Sequence, residues 1–358
     1  MDITIAAKNR FTSSLILWHQ NDNNRSLPWK GEKDPYKIWL SEIILQQTRA
    51  AQGLPYYHAF TAAYPTVNDL ASANDTDVFR LWQGLGYYNR CKNMLATARL
   101  VATKYNGIFP GSYSLLLTLK GIGPYTAAAI ASFAYNEPVA VVDGNVYRVL
   151  SRCFGIDSPI DSTTGKKQFA TLAQQLLHNE ASAAHNQAIM DLGATVCTPT
   201  SPKCEICPLY AQCVAKSNDM ITLLPVKSKK MVVKKRFFNF ILLQYGDKLW
   251  IQKRPGGDIW ENLHQPYLIE TSENDSINAL QNDKLFTNNN LNIQDLTLSA
   301  KFTQRLTHQL IHTNFYTLRI NHTSDIVLDG GEWINNPELK NLAFPKTLVS
   351  FFKNNLYF

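Results

Sequence analysis

Along residues 1–220, apolar positions recur every three or four residues, and gaps rich in Pro, Gly, Asn and Asp separate the periodic runs. Such spacing lines one face of a helix, so this region is expected to be mainly α-helical. One helix opens at Asp34-Pro35, with Asp34 as N-cap and Pro35 in the first turn, and continues through YKIWLSEIILQQT. Others fit residues 75–83, 91–105, 126–135, 145–153, 165–178 and 184–196. The pattern changes after Leu224. FFNFILLQY and KLWIQKR read as strands, and Gly246-Asp247 between them is a two-residue hairpin signal. A further strand fits TNFYTLRI at 313–320, while the asparagine-rich stretch 272–295 reads as a surface helix and loop. The expected organisation is a helical region over 1–220, a linker at 221–234, and a smaller α/β domain over 235–358.

Composition narrows the class without naming it. The 358 residues are 45% hydrophobic, enough for two ordinary cores. No apolar run approaches the length of a membrane span. The start, MDITIAAKNRFTSS, lacks the charged, apolar and small-residue succession of a secretory signal, so a cytoplasmic protein is expected. A formal charge of +7 favours a polyanionic partner only mildly. The run KSKKMVVKKR at 227–236 is either a solvated linker or, beside a nucleic-acid site, a source of phosphate affinity.

Six cysteines are present. Cys91 and Cys153 stand alone in apolar helical surroundings and are expected to be buried packing residues. The other four form Cys197-x6-Cys204-x2-Cys207-x5-Cys213, a set suited to tetrahedral zinc or to a [4Fe–4S] cluster; chemistry alone does not choose. In LKGIGPYTAAA, Gly121 and Gly123 permit close backbone approach, and the following helix offers its free N–H groups to an anion. Asp143, in VVDGNVYRVL, falls just before a helix, where an aspartate caps the N-terminus or serves a site. Glu42 sits in a helix that is apolar nearly all round, where desolvation raises a carboxyl toward a value useful for a general acid.

The unequal cysteine spacing resembles the iron–sulfur loop of the endonuclease III superfamily of DNA glycosylases. The glycine turn, VDGNVYRVL and the cysteines, in that order, resemble its helix-hairpin-helix region. Together with SEIILQQTRA, GLGYYNRCKN and NQAIMDLGATVC, the match becomes close to the MutY family of adenine DNA glycosylases over residues 18–235, and looser beyond.

That resemblance implies a [4Fe–4S] cluster on the four cysteines, within a module at about 190–215. It implies Glu42 as the acid that protonates adenine, and Asp143 as the carboxylate facing the sugar, supported by Asn145 and Tyr125. Arg25, Trp29 and Gln187 would line the adenine pocket; Gln47 and Tyr87 would fill or wedge the base stack. Gly121, Gly123 and Lys203 would meet DNA phosphates. Residues 235–358 resemble a Nudix-like domain that recognises 8-oxoguanine, with Leu306-Thr307-His308 in place of a Phe-Ser-His loop, so Thr307 and His308 would contact that base. No arginine in the chain is followed by glutamate, which argues against Nudix hydrolase activity.

The partner implied is duplex DNA holding adenine opposite 8-oxoguanine or guanine, bound by a monomer. Superfamily members that also cut the strand carry a lysine where this chain has Tyr125. The tyrosine therefore points to simple hydrolysis, and away from a pyrimidine glycosylase with lyase activity. A catalytically silent mismatch binder remains the reading from another class; the presence of both Glu42 and Asp143 speaks against it.

Overall fold

The computed structural model describes residues 4–228, 232–272, 277–289, 291–323 and 326–355. By contacts the chain forms two compact units, one of residues 1–72 with 93–230 and one of residues 73–92 with 231–358.

The first unit is helical. α1 (Ile5–Asn21) is capped by Thr4, and α2 (Pro35–Leu45) by Asp34, whose carboxylate accepts from the Tyr36 amide at 2.9 Å. Later helices are α3 (Pro124–Tyr135), α4 (Gly144–Phe154), α5 (Thr163–Leu176) and α6 (Ser182–Thr195). Their ends fall within a residue or two of the pattern, the ordinary fraying of helix termini. α2 is the exception. It stops at Leu45, not Thr48, because Gln46 turns extended and Gln47 takes a left-handed φ of 56°.

One core joins Phe11, Leu15 and Trp18 of α1 to Val149 and Leu150 of α4, Phe169 and Leu172 of α5, and Ile189 and Leu192 of α6. Burying each such side chain contributes about 2 kcal/mol. That core packs α4 against α6, the helices that carry Asp143 at the N-cap of one and Gln187 and Asp191 within the other. Cys91 and Cys153 are buried and unbridged, as expected. No described helix is long and apolar enough to cross a membrane.

The described residues of the second unit build a seven-stranded sheet: β1 (Lys234–Tyr245), β2 (Lys248–Lys253), β3 (His264–Gln265), β4 (Tyr267–Thr271), β5 (Thr297–Arg305), β6 (Gln309–Arg319) and β7 (Gly331–Asn335). The order is β3-β2-β1-β6-β5, with β4 also on β1 and β7 on β2. β1 and β6 pair in parallel from Lys234↔Gln309 to Gln244↔Arg319, and the β1–β2 hairpin turns at Gly246-Asp247 as its sequence predicts.

Buried on both faces, β1 reads as the nearly continuous apolar run of a central strand. One face packs on Leu280, Leu285 and Phe286; on the other, Phe315 stacks on Phe351 at 4.1 Å. The described residues of 272–295 include two short α-helices, Ile277–Gln281 and Lys284–Asn289, and Leu285 and Phe286 of the second are core rather than surface. Residues 273–276 and 290 of that stretch, and 229–231 of the linker placed at 221–234, lie outside the described residues.

Arg236 anchors the end of β1. It is nearly buried and forms paired bonds to Asp258 (2.6 and 2.7 Å) and Glu270 (2.7 and 2.6 Å), while Arg254 also reaches Asp258 at 2.5 Å. Both guanidinium groups lie over the Phe238 ring. Arg236→Met leaves two carboxylates facing each other without their shared cation. Because both are partly exposed (34% and 40%), the expected loss is about 2 kcal/mol, below that of a fully buried pair, measured as a lowered denaturation midpoint with unchanged slope.

Candidate active site

Three candidate groups of the helical unit, Glu42, Tyr125 and Asp143, are each placed by a different element. Glu42 lies mid-α2 between buried Ser41 and Ile43 and is only 7% exposed. Burial pushes its carboxyl up to about 7; a hydrogen bond with Tyr125 pulls it down, and the charge of Asp143 raises it further. Tyr125 comes from the first turn of α3 and packs on Ala128, Ala129 and Val141. Its phenol is raised well above its ordinary value by burial and by Glu42 and Asp143, so it remains a proton donor. The hydroxyl bonds to Glu42, the general-acid candidate, whereas the sequence reading set Tyr125 in support of Asp143.

Asp143 is the N-cap of α4. Oδ1 accepts the amides of Asn145 and Val146, both at 2.8 Å, and Oδ2 accepts Asn145 Nδ2 at 2.7 Å. Burial raises its pKa while these bonds and Arg148 oppose the rise. The residue is a helix cap and a candidate site carboxylate at once. The segment before it is tied down by Asn186, which accepts the Val141 amide and donates to Ser132 and Val139.

Arg148, one turn into α4, donates to Asn145 Oδ1 (2.8 Å), to the Gly144 and Gly193 carbonyls, and to the carbonyl of Cys197 (2.6 Å). Gly193 of α6 allows this closeness: an added Cβ there would lie 2.6 Å from Asn145 Cβ and 2.9 Å from its carbonyl oxygen.

A second constellation surrounds Asp191 of α6, whose side chain is fully buried. Arg25 Nη1 (2.7 Å) and Gln187 Nε2 (3.0 Å) share Oδ1; Asn23 Nδ2 (2.8 Å) and Lys30 Nζ (3.0 Å) share Oδ2. Burial raises this carboxyl, but bonds from Asn23, Arg25 and Lys30 outweigh it and hold the group below its ordinary value. Arg25 also acts electrostatically on Tyr125, which links the two constellations. Trp29 meets Tyr57 edge-on at 5.3 Å. Asp191, Lys30, Asn186 and Arg148 were not singled out from sequence. Asp191 and Asn186 lie inside the quoted NQAIMDLG motif, but nothing along the chain announces that the 23–30 segment folds back onto it.

The glycine turn is exposed. Gly121 has φ 76°, and a Cβ there would crowd Asn93 at 2.8 Å; Gly123 caps α3 without a side chain and is open to approach. Gln47 and Tyr87 are both non-glycine residues in the left-handed region, at φ 56° and 50°, conformations of the kind that functional loops retain. In the second unit, Arg90 lies over the rings of Trp82 and Tyr87, and the Tyr87 hydroxyl bonds to that of Thr307. Thr307 and His308 form the tip of the tight β5–β6 turn, closed by the Leu306 amide on the Gln309 carbonyl at 2.8 Å.

All four clustered cysteines are unbridged and line one cavity, together with Lys203 and Lys216. A single zinc would need four sulfurs about 2.3 Å from one point. Four cysteine thiols lining one cavity are equally the donor set of a [4Fe–4S] cluster. Arg152 Nη1 lies 3.5 Å from the Cys197 sulfur, a cationic neighbour suited to anionic thiolates.

Residues 40–175 match the HhH-GPD superfamily of base excision DNA repair proteins, residues 197–213 the iron-sulfur binding domain of endonuclease III, and residues 239–354 the NUDIX domain. The fold and site thus define a helix-hairpin-helix repair glycosylase carrying a [4Fe–4S] cluster and a Nudix-like domain. An adenine DNA glycosylase of Buchnera aphidicola subsp. Baizongia pistaciae is 33% identical over 95% of this chain and 95% of its own length, and that of subsp. Acyrthosiphon pisum is 30% identical over 97% and 99%. The structure of a thermostable thymine-DNA glycosylase is similar at TM-score 0.56 and 30% identity, covering 61% of this chain and all of that one. The chain belongs to the adenine DNA glycosylase family, hydrolases of N-glycosyl bonds that act in base excision repair.

Proposed function

We propose that this enzyme hydrolyses the glycosidic bond of adenine mispaired with 8-oxoguanine or guanine, and that it has no lyase step. The observation that carries the reading is Glu42, a buried carboxyl poised near neutrality and hydrogen-bonded to a phenol where an amine would be needed for strand cutting. The extruded adenine takes the Glu42 proton on N7. The bond between C1′ and N9 then breaks with its electron pair going to adenine. The anionic Asp143 stabilises the positive charge left on the sugar. The carboxylate of Glu42 next accepts a proton from water as that water adds to C1′, which restores the acid.

Arg25, Trp29 and Gln187 bind the base, Gln47 and Tyr87 fill the stack it leaves, and the Gly121–Gly123 turn and Lys203 hold phosphates. Lys30, the lysine in the Asp191 network, has its ammonium engaged by Asp191 and by the Arg25 carbonyl at 2.9 Å, which suits an anchor and not a nucleophile. Thr307 and His308 read the 8-oxoguanine. The [4Fe–4S] cluster on Cys197, Cys204, Cys207 and Cys213 is a structural crosslink that shapes the loop carrying Lys203. The protein acts as a monomer on cytoplasmic, nucleoid-associated DNA, and its helical and Nudix-like domains divide at the 221–234 linker.

The test is single turnover on duplex DNA holding adenine opposite 8-oxoguanine, with borohydride present. Free adenine, with strand scission only after alkali, is expected. A trapped protein–DNA adduct with immediate scission overturns the hydrolytic reading.

The rate should be flat between the pH at which Asp143 ionises and about pH 7, and fall about tenfold per pH unit above it as Glu42 loses its proton. Tyr125→Phe removes the hydrogen bond that favours the carboxylate, so the falling limb should move to higher pH. An unmoved limb assigns it to another group.

A further inference from the structure

Asp191 takes no part in the steps above, yet four donors converge on it, two on each oxygen. An ionised carboxylate only accepts hydrogen bonds, with about four acceptor positions in all, so these donors fill it. The consequence for Gln187 is specific. Facing an acceptor, its carboxamide turns Nε2 toward Asp191, and Oε1, the acceptor end, points away from it. Arg25 is fixed in the same way through Nη1 on the same oxygen, and from both sides along its own backbone: its amide donates to Asn23 Oδ1 at 3.1 Å and its carbonyl accepts from Lys30.

We propose that Asp191 is a specificity-determining positioning residue: by holding Gln187 with its carbonyl oxygen turned away from the carboxylate and Arg25 beside it, Asp191 makes the pocket an acceptor for a six-amino purine. Adenine offers an exocyclic N–H₂ at that position and ring nitrogens that accept from arginine. A six-oxo purine offers an acceptor there instead, and two acceptors facing each other leave both unsatisfied. The proposal rests on the reading that Arg25 and Gln187 line the adenine pocket. On that reading Asp191 acts on the base only through Arg25 and Gln187, the side chains it holds.

The test compares, in one preparation, single-turnover release of adenine and of hypoxanthine from otherwise identical duplexes. The ratio of the two rates is independent of the folded fraction, so a general loss of structure does not move it. Asp191→Asn presents an amide that can donate, which lets Gln187 turn over. The adenine-to-hypoxanthine ratio should then fall at least ~10-fold relative to the unaltered enzyme. Asp191→Glu stays acceptor-only and should keep most of the ratio even if both rates drop. Should Asp191→Asn not accumulate, Asp191→Ser offers a hydroxyl that can donate and carries the same expectation.

Gln187→Leu is the control on the underlying reading, and it too should lower the ratio. If it does so while Asp191→Asn stays within twofold of the unaltered enzyme, the positioning role is overturned and the pocket assignment stands. If neither variant moves the ratio, the pocket assignment fails and takes the proposal with it.

Discussion

Glu42→Gln is expected to abolish adenine release, by about 10²–10⁴-fold in single turnover, while the variant still binds duplex DNA holding adenine opposite 8-oxoguanine. The amide has nearly the shape of the carboxyl but no proton to give at neutral pH. The same substitution should stabilise the protein in alkaline solution. The folded-state pKa of Glu42 lies near 7, above an ordinary value of 4.5, so its contribution to stability is fully present below pH 4.5 and is lost as pH rises through 7. Glutamine carries no such loss. The variant should therefore be more stable than the parent by about 3 kcal/mol at pH 8, and the gap should close toward pH 4.5. Thermal melts at the two pH values read this directly. Normal turnover by the variant would remove Glu42 from the acid role, and equal melting at pH 8 would mean that its carboxyl is not held in a desolvated site.

Asp143→Asn is the second large effect. Asparagine keeps one oxygen for the Asn145 and Val146 amides, so α4 stays capped and the stability cost should be about 1 kcal/mol or less. The other position turns from acceptor to donor and faces the Asn145 amide nitrogen, and the negative charge is gone. A loss of about 10²–10³-fold in the single-turnover rate is expected, comparable to removing one transition-state stabiliser. The measurement pairs that rate with a melt and with the visible absorbance of the iron–sulfur cluster. A near-normal rate would leave Asp143 as a helix cap alone.

Much of this was legible because the relevant signals are local. Asp143 precedes Gly144-Asn145 at the start of an amphipathic helix, so its capping geometry could be read from three letters. Glu42 stood out as an acid in a run that α2 buries on nearly every side. The cysteine spacing and the Gly246-Asp247 hairpin carry their meaning within a few residues. What escaped depends on distance along the chain. Asp191 looks like any polar residue on a helix until the segment containing Asn23, Arg25 and Lys30, more than 160 positions away, folds onto it. Arg148 reads as a surface charge until the Gly193 and Cys197 carbonyls arrive. The end of α2 was missed for the opposite reason: Gln46, Gln47 and Thr48 all suit a helix, and only the backbone turn at Gln47 shows otherwise. The grouping of residues 73–92 with the sheet unit likewise has no trace in periodicity, because it arises from side chains such as Tyr87 and Gln83 meeting Thr307 and the Phe344 amide.

Gly193 bears on how inherited variation in such an enzyme should be judged. It has no side chain, no charge and no assigned chemistry, and a survey that ranks positions by nearness to the scissile bond would pass over it. Yet the smallest addition, one methyl group, collides with the backbone of Asn145, the residue that steadies Asp143. An alanine there would leave every reactive group in the chain and still misplace one of them. Harm in this protein is therefore better forecast by asking which backbones must touch than by asking which residues react.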